Sequence, residues 1–303
     1  MPWLGALALF LLVGGWAVLE VRTVGQDSRP AFLTVDPNST PPPRKDDGRL
    51  HIAGSGSCIP LTRMLAGAAI QQIDIAPEVH ASIGSSGGLR ALQDGAIDLA
   101  VVSRRLRASE EDAGFVYTPY ARIPVVVGAS LDVPERDVSF EDLEAIFSGT
   151  RTRWSDGANV VVLLRETGDS SHRVVESVIP DFAEITARVR ESGEFRVLYH
   201  DSAMQVALAN TPGAVGLHGD GVDPSLAGFR ALSVEGVEPT SASIESGEYP
   251  FVKELAFVTI GEPQGDAATF IGFALSTEGR AMLRIRGAVP PDLEAAGDEE
   301  EGL

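Results

Sequence analysis

Residues 165–173, Arg-Glu-Thr-Gly-Asp-Ser-Ser-His-Arg, place a guanidinium, a glycine turn and two hydroxyls between the apolar run Val160 to Leu164 and a segment of helical pattern. A buried strand that delivers these groups to a helix start makes a site for a small oxyanion. The first helical turn leaves backbone N–H groups without intrahelical partners, and the helix dipole adds partial positive charge there. Ile83-Gly84-Ser85-Ser86-Gly87-Gly88 forms a second such junction. Two of them in one chain point to an anion held between two lobes. Arg165, Ser85, Ser170 and Ser171 are the candidate donors. Each has a plainer reading beside this one: the serines as helix caps worth about 1 kcal/mol, Arg165 as a surface partner of Glu166. Ser171 next to His172 does not make a catalytic dyad, because neighbours on a helix point about 100° apart. The chemistry is binding, with no enzyme activity expected.

The elements that must carry these groups alternate. Leu50 to Ala53 reads as a short strand, followed by the turn Gly54-Ser55-Gly56-Ser57-Cys58 and a helix with Leu61, Met64, Leu65 and Ala68 at helical spacing. Ser86 and its glycines open a helix that stops at Gly95. Ile97 to Val102 and Ile123 to Val127 read as buried strands, and Ser139 with Asp142 as a capping box before Phe140, Leu143 and Phe147. Val174, Val175, Val178 and Ile179 stripe the helix after the arginine motif. Ser202 opens another helix, which Pro212-Gly213 ends before the strand Ala214 to Leu217. This is the pattern of an α/β sheet with helices on both faces, whose ligands bind at the carboxyl ends of the strands.

The 303 residues carry a net charge of −19, which argues against nucleic acid and against anionic membrane surfaces as partners. The single cysteine, Cys58, excludes an intrachain disulfide and a cysteine zinc cluster. Histidines at 51, 80, 172, 200 and 218 have no metal-ligand spacing, so neither metal nor cofactor is expected. Pro2 to Leu19 is almost wholly apolar. It reads either as a secretory signal cut after Ala17, though without a positive leading region, or as an uncleaved membrane anchor. Either way the rest of the chain is expected outside the cytoplasm. Residues 25–48, rich in proline and charge, read as a tether, and Asp298 to Glu301 as a solvated acidic tail.

Several stretches resemble one family. Residues 83–106, IGSSGGLRALQDGAIDLAVVSRRL, are similar to a segment of the phosphate-binding proteins of bacterial phosphate ABC transporters. PGAVGL (212–217), VEGVEPTSASIESGEYPF (234–251) and FIGFALSTEGRAMLRIRGAVP (270–290) resemble the same family in the same order, as do GSGSCIPL (54–61) and RETGDSSHR (165–173). The resemblance implies a type II periplasmic-binding-protein fold, two α/β lobes joined by a two-strand hinge. The expected divisions are a signal peptide or anchor over 1–24, the tether, a first lobe over 49–125 and 226–294, a second lobe over 126–225 and an acidic tail over 295–303. The chain would leave the first lobe near Ile123 to Ala129 and return near Val222 to Gly228.

The same resemblance implies a monomer that captures inorganic phosphate for an ABC permease. A fixed sensor or scavenger on the same fold is the alternative; an enzyme acting on phosphate esters or a receptor for another oxyanion stand further off. Carried over by position, the ligand residues are Ser57 and Cys58 in the first loop, the latter through its backbone. Ser85 follows at the second helix, then Ser103 and Arg104, the last alternatively a lobe-to-lobe ion pair. Arg165, Asp169, Ser170 and Ser171 complete the set in the second lobe. Family members commonly have Gly-Ser-Gly-Thr where this chain has Gly168-Asp169-Ser170-Ser171. The added carboxylate can accept the O–H that phosphate retains and sulfate lacks, so Asp169→Asn is expected to weaken phosphate binding or admit sulfate.

Overall fold

A computed structural model describes residues 47–219, 221 and 224–291. The expected signal or anchor, almost all of the tether, Val222 and the acidic tail lie outside the described residues. From its amino end β1 (Leu50–Gly54) leads through a 3-10 turn at Gly56–Cys58 into α1 (Ile59–Gln72). Then come β2 (Pro77–Val79), α2 (Gly84–Gln93), β3 (Leu99–Val102), α3 (Ala108–Glu111) and the long β4 (Phe115–Pro124). After these follow β5 (Val126–Ala129), β6 (Asp137–Val138), α4 (Phe140–Phe147), β7 (Val161–Arg165), α5 (Ser170–Val178) and α6 (Phe182–Ser192). β8 (Arg196–Leu198), α7 (Asp201–Asn210), β9 (Ala214–His218), β10 (Arg230–Val234) and α8 (Ser241–Ser246) precede β11 (Val252–Ile260), α9 (Gly265–Leu275) and α10 (Thr277–Ile285).

Among the described residues the strands form two sheets, ordered β2-β1-β3-β11-β4 and β6-β10-β5-β9-β7-β8. β1 lies parallel to β2 and β3, and β7 parallel to β8 and β9, as connections through helices require. β3 (Leu-Ala-Val-Val) and β5 (Val-Val-Gly-Ala) are buried at every position, the signature of strands covered on both faces. On the first sheet α1, α9 and α10 cover one face through Leu61, Leu65, Phe257 and Phe270. α2 covers the other through Leu89, Leu92, Ala100 and Val102. On the second, α4, α5 and α6 meet Leu164 and Val215 through Phe147, Val175 and Phe182, while α7 packs Met204 and Leu208 against Leu163 and Phe229. The core is thus divided between two lobes, each a three-layer sandwich. No helix among the described residues is long and apolar enough to cross a membrane.

The chain passes from the first sheet to the second at Val125, whose N–H donates to the Phe251 carbonyl at 2.7 Å. The apolar run Ile123 to Val127 therefore spans two strands. The return is not at Val222 to Gly228. Arg230–Val234 pairs antiparallel with β5 and parallel with β6, so the second sheet keeps the chain through β10. The crossing back comes between β10 and Val252, where β11 begins to pair with Pro124. Strand pairing at long sequence separation decided this, and no local pattern encodes it.

One close approach sets the depth of the loop after β1. Gly54 has φ +149°, and a Cβ there would collide with the Val101 carbonyl oxygen. A Cβ on Gly88 of α2 would meet the Gly54 Cα at 2.8 Å. Helix α2 therefore rests directly on the strand end. Gly54→Ala is expected to destabilise the protein by about 3 kcal/mol through backbone strain and collision, read as a lowered denaturant midpoint with unchanged slope.

Candidate functional site

The carboxyl ends of β1, β3 and β7 and the starts of α2, α5 and α7 surround one cleft of about 630 Å³ between the lobes. Ser55, Ser57, Ser85, Ser86 and Ser170 line it with hydroxyls, and Arg104 and Arg165 with guanidinium groups. α2 begins at Gly84 and α5 at Ser170, so two helix N-termini open onto the same space, although Asp169 takes two of the first-turn amides of α5. Hydroxyls of the two lobes meet there. Ser103 Oγ lies 2.8 Å from Ser55 Oγ and donates to Ser170 Oγ at 3.1 Å, and its backbone N–H reaches Ser85 Oγ at 3.3 Å.

Arg165 ends β7 with only 3 % of its surface exposed. Its Nη1 meets Asp201 Oδ1 at 2.6 Å, its Nη2 Asp169 Oδ2 at 3.3 Å, and its Nε both Glu166 at 3.1 Å and the Leu198 carbonyl at 3.1 Å. Arg165 pairs with Glu166 as the plainer reading expected, but it is buried at the cleft and not a surface residue. Burial opposes its charge, but Asp201 and Asp169 outweigh burial and hold its pKa above the ordinary value.

Asp169 caps α5, Oδ1 accepting from the backbone N–H groups of Ser171 and His172 at 2.9 and 3.1 Å. Burial pushes its pKa up, but the His172 hydrogen bond and the Lys253 and Arg165 charges win, holding the carboxyl well below the usual range. The carboxylate expected to receive a ligand proton is thus engaged by the helix it starts and by Arg165, although it still lines the cleft.

Two expected ligand residues sit differently. Cys58 is fully buried behind the cleft wall. Its N–H donates to the Ser55 carbonyl at 3.0 Å and its Sγ to the Val102 carbonyl at 3.3 Å, so its backbone donor closes the local 3-10 turn. Burial pushes its thiol up to about 12, which leaves it no nucleophilic character at neutral pH. Arg104 grips Glu110 of its own lobe with both terminal nitrogens, at 2.7 and 2.8 Å, and touches Ser86 at 3.3 Å. Its hydrogen bond to Glu110 is the main cause that takes that carboxyl down to about 2. It braces the start of α2 and makes no lobe-to-lobe ion pair.

Sequence reasoning missed Lys253, 1 % exposed. Its Nζ donates to Ser57 Oγ at 2.9 Å, Ser171 Oγ at 2.9 Å and the Gly219 carbonyl at 3.1 Å, beneath the cleft floor. Three acceptors match the three donors of a protonated ammonium. Burial draws its pKa below the ordinary value, against the pull of Asp169 and Asp201. The available signal was parity, since Lys253 falls on the inward-facing alternation of β11 with Leu255. Asp201 and Ser55 were missed too. Asp201 opens α7, a third helix start at the cleft, and its Oδ2 lies 2.5 Å from where a Gly56 Cβ would be.

A family model described as a PBP superfamily domain matches residues 39–278. The chain is 25% identical over 260 residues to the phosphate-binding protein PstS of Bacillus subtilis, covering 81% of this chain and 82% of that one. With PstS of Borreliella burgdorferi the identity is 23% over 215 residues, 67% of this chain and 76% of that one. Among solved structures, an ABC-type phosphate transport receptor of Vibrio cholerae superposes with a TM-score of 0.60 at 22% identity, covering 80% of this chain and 100% of that one.

The depressed carboxyl of Asp169 carries a pH signature. Its contribution to stability is complete above the unfolded value of about 3.9 and is lost as pH falls below that toward its folded value. Asp169→Asn keeps a capping oxygen and removes the charge. It is expected to cost about 1–3 kcal/mol at pH 7 and to flatten the fall in stability below pH ~4, measured by denaturant titration across pH.

Proposed function

Since the chain belongs to the PBP domain superfamily, we propose that it is an extracytoplasmic solute-binding protein that captures inorganic phosphate between its lobes and presents it to an ABC permease. The observation that carries the reading is the convergence of a buried arginine, two helix N-termini and serine hydroxyls from both lobes on one cleft. Those groups can replace the hydration shell of a tetrahedral oxyanion, each charge-assisted hydrogen bond contributing roughly 1.5–3 kcal/mol. Names of relatives agree in kind, two of them being phosphate-binding proteins. The apolar segment Pro2 to Leu19 supports export from the cytoplasm.

The carboxylates narrow the ligand. Glu166, Asp169 and Asp201 stand among Arg63, Arg104, Arg165 and Arg173 around the cleft, with Lys253 beneath it, so a bound oxyanion meets carboxylates as well as guanidinium groups. An oxyanion that keeps an O–H can donate it to a carboxylate, and Asp201 at the cleft wall is well disposed to accept. Phosphate has that proton and sulfate does not, so a carboxylate at the wall favours the first and repels the second. The groups a hydrolase would need are otherwise engaged: Ser171 and Lys253 are buried below the cleft, and the Cys58 thiol is protonated at neutral pH.

Calorimetric titration of the full chain, stripped of ligand by unfolding and refolding, tests this. Phosphate is expected to bind at micromolar affinity or tighter, about −8 kcal/mol, sulfate not to compete, and Arg165→Ala to abolish the heat. Asp201→Asn is expected to let sulfate compete. Absence of heat and of thermal stabilisation with phosphate overturns the reading.

A further inference from the structure

His51 and His80 are 29 positions apart, yet the first sheet brings their rings together. β1 pairs in parallel with β2 so that His51 stands opposite Glu78. The two-residue period of a strand puts His80 on the same face, and its N–H extends the ladder to the Ile52 carbonyl at 2.9 Å. His51 Nδ1 then faces His80 Nε2 at 3.0 Å, with ring centres 5.2 Å apart and planes 14° from parallel. One donor atom from each of His51, Glu78 and His80 fits within a mutual separation of 4.8 Å.

The surroundings orient these groups. Asp47 Oδ1 lies 3.1 Å from His51 Nε2, and an acceptor there keeps the proton on Nε2 and leaves the Nδ1 lone pair facing His80. The His51 backbone N–H is fixed by the Asp98 carboxylate at 2.8 Å. Arg49 Nη1 holds the far oxygen of Glu78 at 3.1 Å, and the near oxygen lies 3.9 Å from His80 Nδ1. The His51 side chain is 13 % exposed and that of His80 39 %, so a buried imidazole meets one that solvent can reach.

Tetrahedral zinc with Zn–N bonds of 2.0–2.1 Å sets two imidazole nitrogens roughly 3.3 Å and their ring centres roughly 5.2 Å apart. The ring centres already have that separation. The nitrogens now face each other along the line of ring centres as a hydrogen bond does, and turning each ring in place by roughly 35° opens them by the remaining few tenths and converges their lone pairs on one point. We propose that His51, His80 and Glu78 form a binding site for a borderline divalent transition-metal cation of the zinc type, with Asp47 as the hydrogen-bond partner that orients His51. Two imidazoles and a carboxylate suit such a cation, and a fourth position stays open to water. Bound there, the metal ties the three-residue edge strand β2 to β1 next to the residue from which the described chain begins. None of these residues lines the cleft, so the inference stands apart from the phosphate reading.

The test is calorimetric titration of zinc chloride into the full chain, carrying no histidine tag, treated with chelator and held in phosphate-free buffer. Saturable binding of one zinc per chain is expected, with a raised thermal midpoint. His51→Ala combined with His80→Ala is expected to remove it, and Asp47→Asn to weaken it about tenfold to a hundredfold. Circular dichroism and melting without zinc check that the variants fold. Should the double variant not fold, His80→Gln at the half-exposed ring is read in its place, again with loss of at least about tenfold. No saturable zinc binding, or equal affinity in folded variants lacking these imidazoles, overturns the proposal.

Discussion

A cation removed from water must find its full set of acceptors, and the ammonium of Lys253 finds them in three places at once. Ser57 comes from the turn after β1, Ser171 from the first turn of α5, and Gly219 from the segment after β9, while Lys253 is the second residue of β11, at the crossing between lobes. Both lobes are thus tied to one atom. Its charge is balanced at one remove: Asp169 caps the helix that carries Ser171 and reaches Arg165, and Arg165 reaches Asp201. Each member keeps the next from being an uncompensated buried charge, so the starts of α5 and α7 are held relative to the strand ends.

That chain of charges explains how one cleft can hold guanidinium groups and carboxylates together. The carboxylates do more than neutralise. Asp169 satisfies backbone donors that an anion would otherwise meet unopposed, and Asp201 stands at the wall where the lobes approach. The side chains left facing the cleft beside the arginines are mostly neutral hydroxyls. The surface can then remain strongly acidic without excluding an anionic ligand.

The two ends of the first sheet have different chemistry for a topological reason. Parallel strands collect their carboxyl ends on one side, and β1 delivers Ser55, just beyond its last residue, to the cleft there. Toward its other end β1 carries His51, beside the short edge strand β2, where Glu78 and His80 lie across the ladder. A single strand thus serves the cleft at one end and a histidine pair at the other.

Much of this was legible along the chain. The strand–turn–helix junctions at Gly84 and Ser170, the capping box of Ser139 and Asp142, and the placing of Arg165, Ser85 and Ser170 at those junctions depend on residues adjacent in sequence. Hydrophobic period and capping chemistry are local, so a single sequence determines them. What the tertiary structure alone decided is the set of partners drawn from distant segments: β10 in the second sheet, Lys253 between Ser57 and Ser171, Asp201 on Arg165 and His80 on His51. Such pairings follow from which strands lie side by side and how deeply each loop is buried. That is a property of the whole packed chain, because a buried charge or ring selects its partner by proximity in space.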